Sequence, residues 1–138
     1  MGKLKINWLA IVAATIVAQG IGAGIYGVFS EQWMSYHKLT DEFIEANFSV
    51  TPFIVSIIAS ILLYYIMAIV FIRMNIRTLS DGLKWGAILG LGFGFLGPYV
   101  QGHFEFNVYS GMLDGFNNFL GILVGGAILG AWVKTEEA

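Results

Sequence analysis

The stretch Asn7–Phe29 reads NWLAIVAATIVAQGIGAGIYGVF, and no charged side chain occurs between Lys5 and Glu31. A helix that crosses a bilayer needs roughly 20 apolar residues, because the hydrocarbon is about 30 Å thick and each helical residue rises about 1.5 Å. Asn7–Phe29 is long enough. A charge is costly at the bilayer centre and tolerable at its edge, so charged residues mark where such helices end. Three more uncharged windows follow: Glu45 to Arg73, Lys84 to His103 and Glu105, and Asp114 to Lys134. The chain is therefore read as an all-α integral membrane protein, a single domain over residues 1–138. Its four transmembrane helices are placed at about residues 7–29, 52–72, 83–100 and 116–133. Composition agrees, since 57% of residues are apolar and 12% charged, more apolar surface than a water-soluble core absorbs.

Local signals refine the ends. Pro52 suits a first helical turn, Thr78 or Ser80 a cap on the third helix with Asp81 behind it, and Asn117 or Asn118 a cap on the fourth. Trp8, Trp33, Trp85, Tyr99 and Trp132 fall near the expected membrane edges, where a ring is buried while its polar atom stays wet. Lys3, Lys5, Arg73, Arg77, Lys84 and Lys134 fall on one side and Lys38 alone on the other. The excess of basic residues predicts that both termini are cytoplasmic. The rival reading of the first helix, a cleaved signal peptide, requires a shorter apolar run.

Cysteine is absent, which leaves no disulfide or thiolate chemistry, and a net charge of -2 offers no basic face for nucleic acid. No serine-nucleophile motif, phosphate loop or helical pair of metal ligands is present. Neither an enzyme nor a cofactor is expected.

Glycine organises the helices, because lipid gives them no hydrophobic reason to associate and close backbone contact must supply it. Gly82, Gly86, Gly90 and Gly94 line one stripe of the third helix, Gly20 and Gly24 one of the first, and Gly121, Gly125, Gly126 and Gly130 two pairs on the fourth. The pattern G-x-G-x-G-x-x-G occurs at Gly20–Gly27 and again at Gly90–Gly97. This raises a parallel duplication of two-helix halves and predicts that the first and third helices make the closest contact. Each copy contains G-x-G-x-x-G, but the strand that a dinucleotide site requires is missing, so packing is the reading.

Gln19, Tyr64 and Tyr65 lie near mid-membrane, where each needs a partner away from lipid, either an interhelical hydrogen bond or a substrate in a central cavity. The outer loops hold His37, His103 and Glu105, and in extended chain His103 and Glu105 would share a face. Their spacing matches no metal signature, so no metal site is assigned. Thr40–Ile44 reads as the capped start of a short surface-lying helix covering the outer helix ends.

Asn7-Trp8-Leu9-Ala10, Tyr26-Gly27, Trp33-Met34, Leu39-Thr40-Asp41-Glu42, Asp81-Gly82-Leu83-Lys84, Phe104-Glu105 and Gly126-Ala127-Ile128-Leu129-Gly130-Ala131-Trp132 occur in this order. Their order and spacing resemble the small bacterial membrane proteins grouped as domain of unknown function 1761, DUF1761, with a departure at Ile25, where such proteins tend to carry Trp. The resemblance implies a four-helix fold in a bacterial cell membrane and brings no activity. The expected function is non-enzymatic action through self-association, most simply as a homo-oligomer, or through contacts with membrane partners or lipid. The alternative is an oligomeric channel or facilitator for a small solute.

Overall fold

A computed structural model describes residues 2–136; the ends of the expected domain, residues 1 and 137–138, lie outside the described residues. The element order is β1 (Leu4–Lys5), α1 (Trp8–Val28), α2 (Ser30–Tyr36), α3 (Asp41–Ala46), α4 (Thr51–Arg73), α5 (Leu79–Leu89), a π-helical segment (Gly90–Phe95), α6 (Leu96–Phe104), α7 (Val108–Ala131) and β2 (Lys134–Thr135). Because α5, the π segment and α6 run on as one rod, four helices among the described residues are long and apolar enough to cross a membrane: Trp8–Val28, Thr51–Arg73, Leu79–Phe104 and Val108–Ala131.

Side-chain caps start these helices. Asn7, Thr40, Thr78 and Asn107 each accept a backbone N–H of the first turn, and Pro52 sits in the opening turn of α4. Asn107, rather than Asn117 or Asn118, therefore caps the fourth helix, which begins eight residues upstream of the expected Phe116 and carries Asp114 inside it. The third helix is also longer than expected, and its middle winds in π register directly upstream of Pro98, whose missing N–H leaves the Gly94 carbonyl without its i+4 partner.

The third helix packs along α7, and α7 in turn packs along α1. On the other flank of α1 lies α4, which touches α7 lightly and makes no extensive contact with the third helix. This overturns the expected closest pairing of the first and third helices. The reason is visible at the glycines. A Cβ on Gly126 would lie 2.6 Å from the Gly82 carbonyl oxygen, one on Gly130 2.5 Å from that of Thr78, and one on Gly86 2.9 Å from that of Leu123. Gly90 and Gly94 similarly abut Phe119 and Asn118. Gly102, Gly111 and Gly115, which the sequence reading did not single out, extend the same contact to the far end of the hairpin. In contrast, a Cβ on Gly20 or Gly24 would meet nothing within 4 Å, so these two are not packing residues within this chain. The two glycine patterns are thus unlike in structure: one is a regular helix with an open face, the other a π-wound segment pressed on α7.

A compact apolar cluster holds one end of the bundle, with Ala10, Ile11 and Ala14 of α1 against Tyr64, Met67, Ala68 and Phe71 of α4 and Ile122 and Leu129 of α7. Below it the strands β1 and β2 pair antiparallel, Leu4 opposite Thr135 and Lys5 opposite Lys134. The Arg77 guanidinium donates to the Gly2 carbonyl oxygen at 2.9 Å, and Asn7 Nδ2 donates to that of Trp132 at the same distance. Strands β1 and β2 and four of the basic residues, Lys3, Lys5, Arg77 and Lys134, therefore meet at one end of the bundle. At the other end α3 has no buried residue and leaves Phe43 exposed, as is Phe48 just after it, so it does not cover the helix ends.

Because the partners of Gly126 are backbone atoms that have no room to give, Gly126→Ala is expected to lower stability in mild detergent by about 1–3 kcal/mol. Gly97, where a Cβ meets nothing within 4 Å, is the control: Gly97→Ala is expected to leave the thermal midpoint unchanged or raise it.

Candidate functional site

The gap where α4 and the third helix fail to meet is a groove of about 1070 Å³. Its floor is one face of α1, where Ala18, Gln19, Gly22, Ala23 and Tyr26 recur at helical spacing. One wall is α4, through Pro52, Ser56, Ser60, Leu63 and Tyr64 among others; the opposite wall is α7, through Asp114, Asn117, Asn118 and Gly121. The π segment contributes Phe93 and Gly94 at the rim, and Phe93 is 82% exposed there.

The polar atoms of the groove are partly paired across helices. Gln19 Nε2 donates to Ser60 Oγ at 3.1 Å, and Ser56 Oγ donates to Gln19 Oε1 at 3.3 Å, so one amide ties α1 to two turns of α4. The Tyr64 hydroxyl donates to the Gly121 carbonyl oxygen at 2.8 Å, tying α4 to α7. That hydrogen bond closes the deep end of the groove, since Tyr64 is itself part of the apolar cluster. In an apolar setting each such bond is retained because an unpaired partner costs about 1–3 kcal/mol. Gln19 and Tyr64 therefore line the groove while serving as interhelical ties.

Tyr65 does not join them. Its ring stacks on Trp8 with centroids 5.3 Å apart, on another side of the α1 and α4 contact. Consecutive helical residues lie about 100° apart, so Tyr65 leaves the face that carries Tyr64.

The far end of the groove is built by α2 and the start of α7. Tyr26 donates through its hydroxyl to Asp114 Oδ1 at 2.5 Å, and the Tyr26 ring meets Trp33 edge to face at 6.2 Å. Trp33 in turn packs on His37, with centroids 4.6 Å apart, and His37 Nε2 shares a 2.9 Å hydrogen bond with Ser110 Oγ. Asn107 Nδ2 donates to the Tyr36 carbonyl oxygen at 2.8 Å and fixes α2 against the cap of α7. Asp114, Asn117, Asn118, Tyr26, Ser56 and Ser60 are groove residues that the sequence reading did not assign. The signal that finds them is position: Asp114, Asn117, Asn118 and Gly121 recur at i, i+3, i+4 and i+7 on one helix face.

His103 and Glu105 lie elsewhere. The chain there is helical and not extended, His103 meets the Tyr99 ring edge to face at 4.9 Å, and Glu105 Oε1 accepts from Gln101 Nε2 at 2.7 Å. Neither shares a partner with His37. Among the described residues no group of three or more His, Asp or Glu is placed to hold a metal ion.

No curated protein and no solved structure matches the chain. The family model described as protein of unknown function (DUF1761) matches residues 9–130, which spans α1 through α7 and every groove residue named above. The chain belongs to the DUF1761 family.

Proposed function

We propose that this chain is a multi-pass protein of a bacterial cell membrane, both termini cytoplasmic, that holds a small amphipathic ligand in the groove without chemically altering it. The observation that carries this reading is the groove itself. A large opening lined by amide, hydroxyl and carboxylate groups lies among helices whose other faces are apolar, the combination that small-molecule sites use: an apolar wall for area and a few polar groups for orientation. It opens sideways between α4 and the third helix, toward the surroundings of the helices. A molecule dissolved in the bilayer enters such an opening without crossing water.

The cytoplasmic placement of the termini is supported by the basic residues gathered around the paired β1 and β2. A cysteine-free chain makes this simple to check. In intact cells, a maleimide that cannot cross the membrane is expected to label Glu42→Cys, and to label Lys134→Cys after permeabilisation alone.

The groove reading is tested by native mass spectrometry of the protein released from lipid. The wild type is expected to retain bound small molecules. Asn117→Leu together with Asn118→Leu, which puts two branched apolar side chains into the groove without touching a capping or interhelical hydrogen bond, is expected to abolish that retention. Equal retention by the variant overturns the reading.

A second reading, self-association as a homo-oligomer, is favoured by the open face of α1, where Gly20 and Gly24 have no neighbour in this chain and small residues let helices approach closely. Cross-linking in membranes is expected to trap a dimer that Gly20→Ile with Gly24→Ile removes. Facilitated passage of a solute through one chain has less support, because the apolar cluster around Ile11, Tyr64 and Phe71 fills the bundle beyond the deep end of the groove.

A further inference from the structure

Asp114 sits nearly two turns inside α7, facing the groove, in a helix otherwise apolar enough to cross a membrane. Among the described residues it is the one carboxylate lining the groove, where the other titratable side chains are His37, Tyr26 and Tyr64 and no lysine or arginine is present. Tyr26 occupies its Oδ1. Among the described residues the second carboxylate oxygen has no hydrogen-bond partner, and it is not a buried orphan, because none occurs. An ionised carboxylate in apolar surroundings carries a large desolvation cost unless a positive partner compensates it. Among the described residues no lysine or arginine lines the groove to supply one, and the His37 imidazole there is hydrogen-bonded to Ser110. Around the carboxylate stand the rings of Tyr26 and Trp33, whose faces attract cations. Beyond them, Phe53, Ile57, Leu63 and Phe93 form an apolar lining that leads along the groove.

We propose that this end of the groove binds a phosphate-free amphipathic amine with a single positive charge: the ammonium N–H groups bond to the open oxygen of Asp114, the charge lies against Trp33 and Tyr26, and the hydrocarbon tail follows the apolar wall. The assignment rests on the ligand-holding groove proposed above and names its ligand class. A zwitterionic phospholipid fits less well, since among the described residues no lysine or arginine lines the groove to meet its phosphate. An anionic ligand would place like charges together.

The test uses the full chain in nanodiscs with Trp8, Trp85 and Trp132 changed to Phe, so that Trp33 alone reports. The probes are a bromoalkyl ammonium salt, whose bromine quenches indole on contact, and the bromoalkyl alcohol of equal length. Saturable quenching by the ammonium salt is expected. Asp114→Asn is expected to raise the half-quenching concentration about tenfold or more, the usual scale for losing a charge-assisted hydrogen bond. Asp114→Glu, which keeps the charge, is expected to retain binding. The alcohol is expected to bind more weakly and with no response to Asp114→Asn, which also shows that this variant is folded. Equal quenching by both probes, indifferent to Asp114→Asn, overturns the amine assignment and leaves the groove reading standing. No saturable quenching by either probe overturns both. Displacement of the ammonium probe in phosphatidylethanolamine nanodiscs and not in phosphatidylglycerol nanodiscs assigns the site to a lipid headgroup and overturns the phosphate-free amine.

Discussion

The backbone-to-backbone approach of the third helix and α7 is the constraint on which the remaining architecture depends. Glycines stand on both sides of it, Gly82 and Gly86 against Gly126 and Gly130 near the chain ends, Gly102 against Gly111 at the other. With no side chain between them, these two rods meet along their whole length and leave α7 only its remaining faces for the other helices. One of those faces takes α1, and α1 then takes α4 on its far flank. The order of packing is therefore third helix, α7, α1, α4, an arc and not a closed square. An arc has a gap between its ends, and that gap is the groove. A β-carbon at any of several glycines would push the hairpin apart and change where α1 and α4 can sit.

Polar groups decide how wide the gap stays. Apolar contact alone offers α4 little preference for closing against the third helix, since in a bilayer lipid tails serve its apolar surface as well as protein does. Its position is set instead by directional bonds, Gln19 to Ser56 and Ser60 on one side and the Tyr64 hydroxyl to the Gly121 carbonyl on the other. Gly121 differs from the hairpin glycines in having room for a β-carbon. A Cβ at that position would make ordinary contact with the Tyr64 hydroxyl at 3.6 Å, whereas at Gly125 it would overlap the Tyr64 ring. One tyrosine thus reads two adjacent turns of α7, the ring passing over Gly125 and the hydroxyl reaching Gly121.

The four long helices were legible in the sequence because charged residues are excluded from apolar spans, and the cap at Thr40 and the choice of Thr78 or Ser80 for the third helix were legible from side-chain chemistry, whereas Asn7 was read as helical and caps α1 instead. The pairing of the helices was not. Gly20, Gly22, Gly24 and Gly27 repeat the spacing of Gly90, Gly92, Gly94 and Gly97, so both helices advertise a groove, and a single sequence carries no statement of which groove is filled. What separates them is the partner's register. Gly111, Gly115, Gly126 and Gly130 of α7 complement the third helix, and α1 has no such counterpart within the chain. The rule that revealed the spans also concealed the site. Taking Asp114 as a boundary because it is charged moved the start of the fourth helix inward and turned Asn117 and Asn118 into caps. The true start at Val108, with Asn107 as cap, places all three inside the helix and on the groove. Asp114 is tolerated there because Tyr26, four turns along α1 from its first cluster residues, delivers a hydroxyl to it.

Polarity is graded along the groove: Asp114, Tyr26 and His37 stand at one end, Gln19 and the serines midway, and at the deep end Tyr64 turns its hydroxyl to Gly121 and offers the groove an apolar ring. Beyond it Ile11, Ala14 and Phe71 are packed together and buried. A molecule with a charged head and an apolar tail matches that gradient when its head lies at Asp114 and its tail points inward or out through the gap beside Phe93. A uniformly polar solute would leave half the groove unmatched, and a uniformly apolar one would leave the carboxylate without a partner. The gradient of lining chemistry, rather than the size of the opening, is what selects an amphipathic occupant.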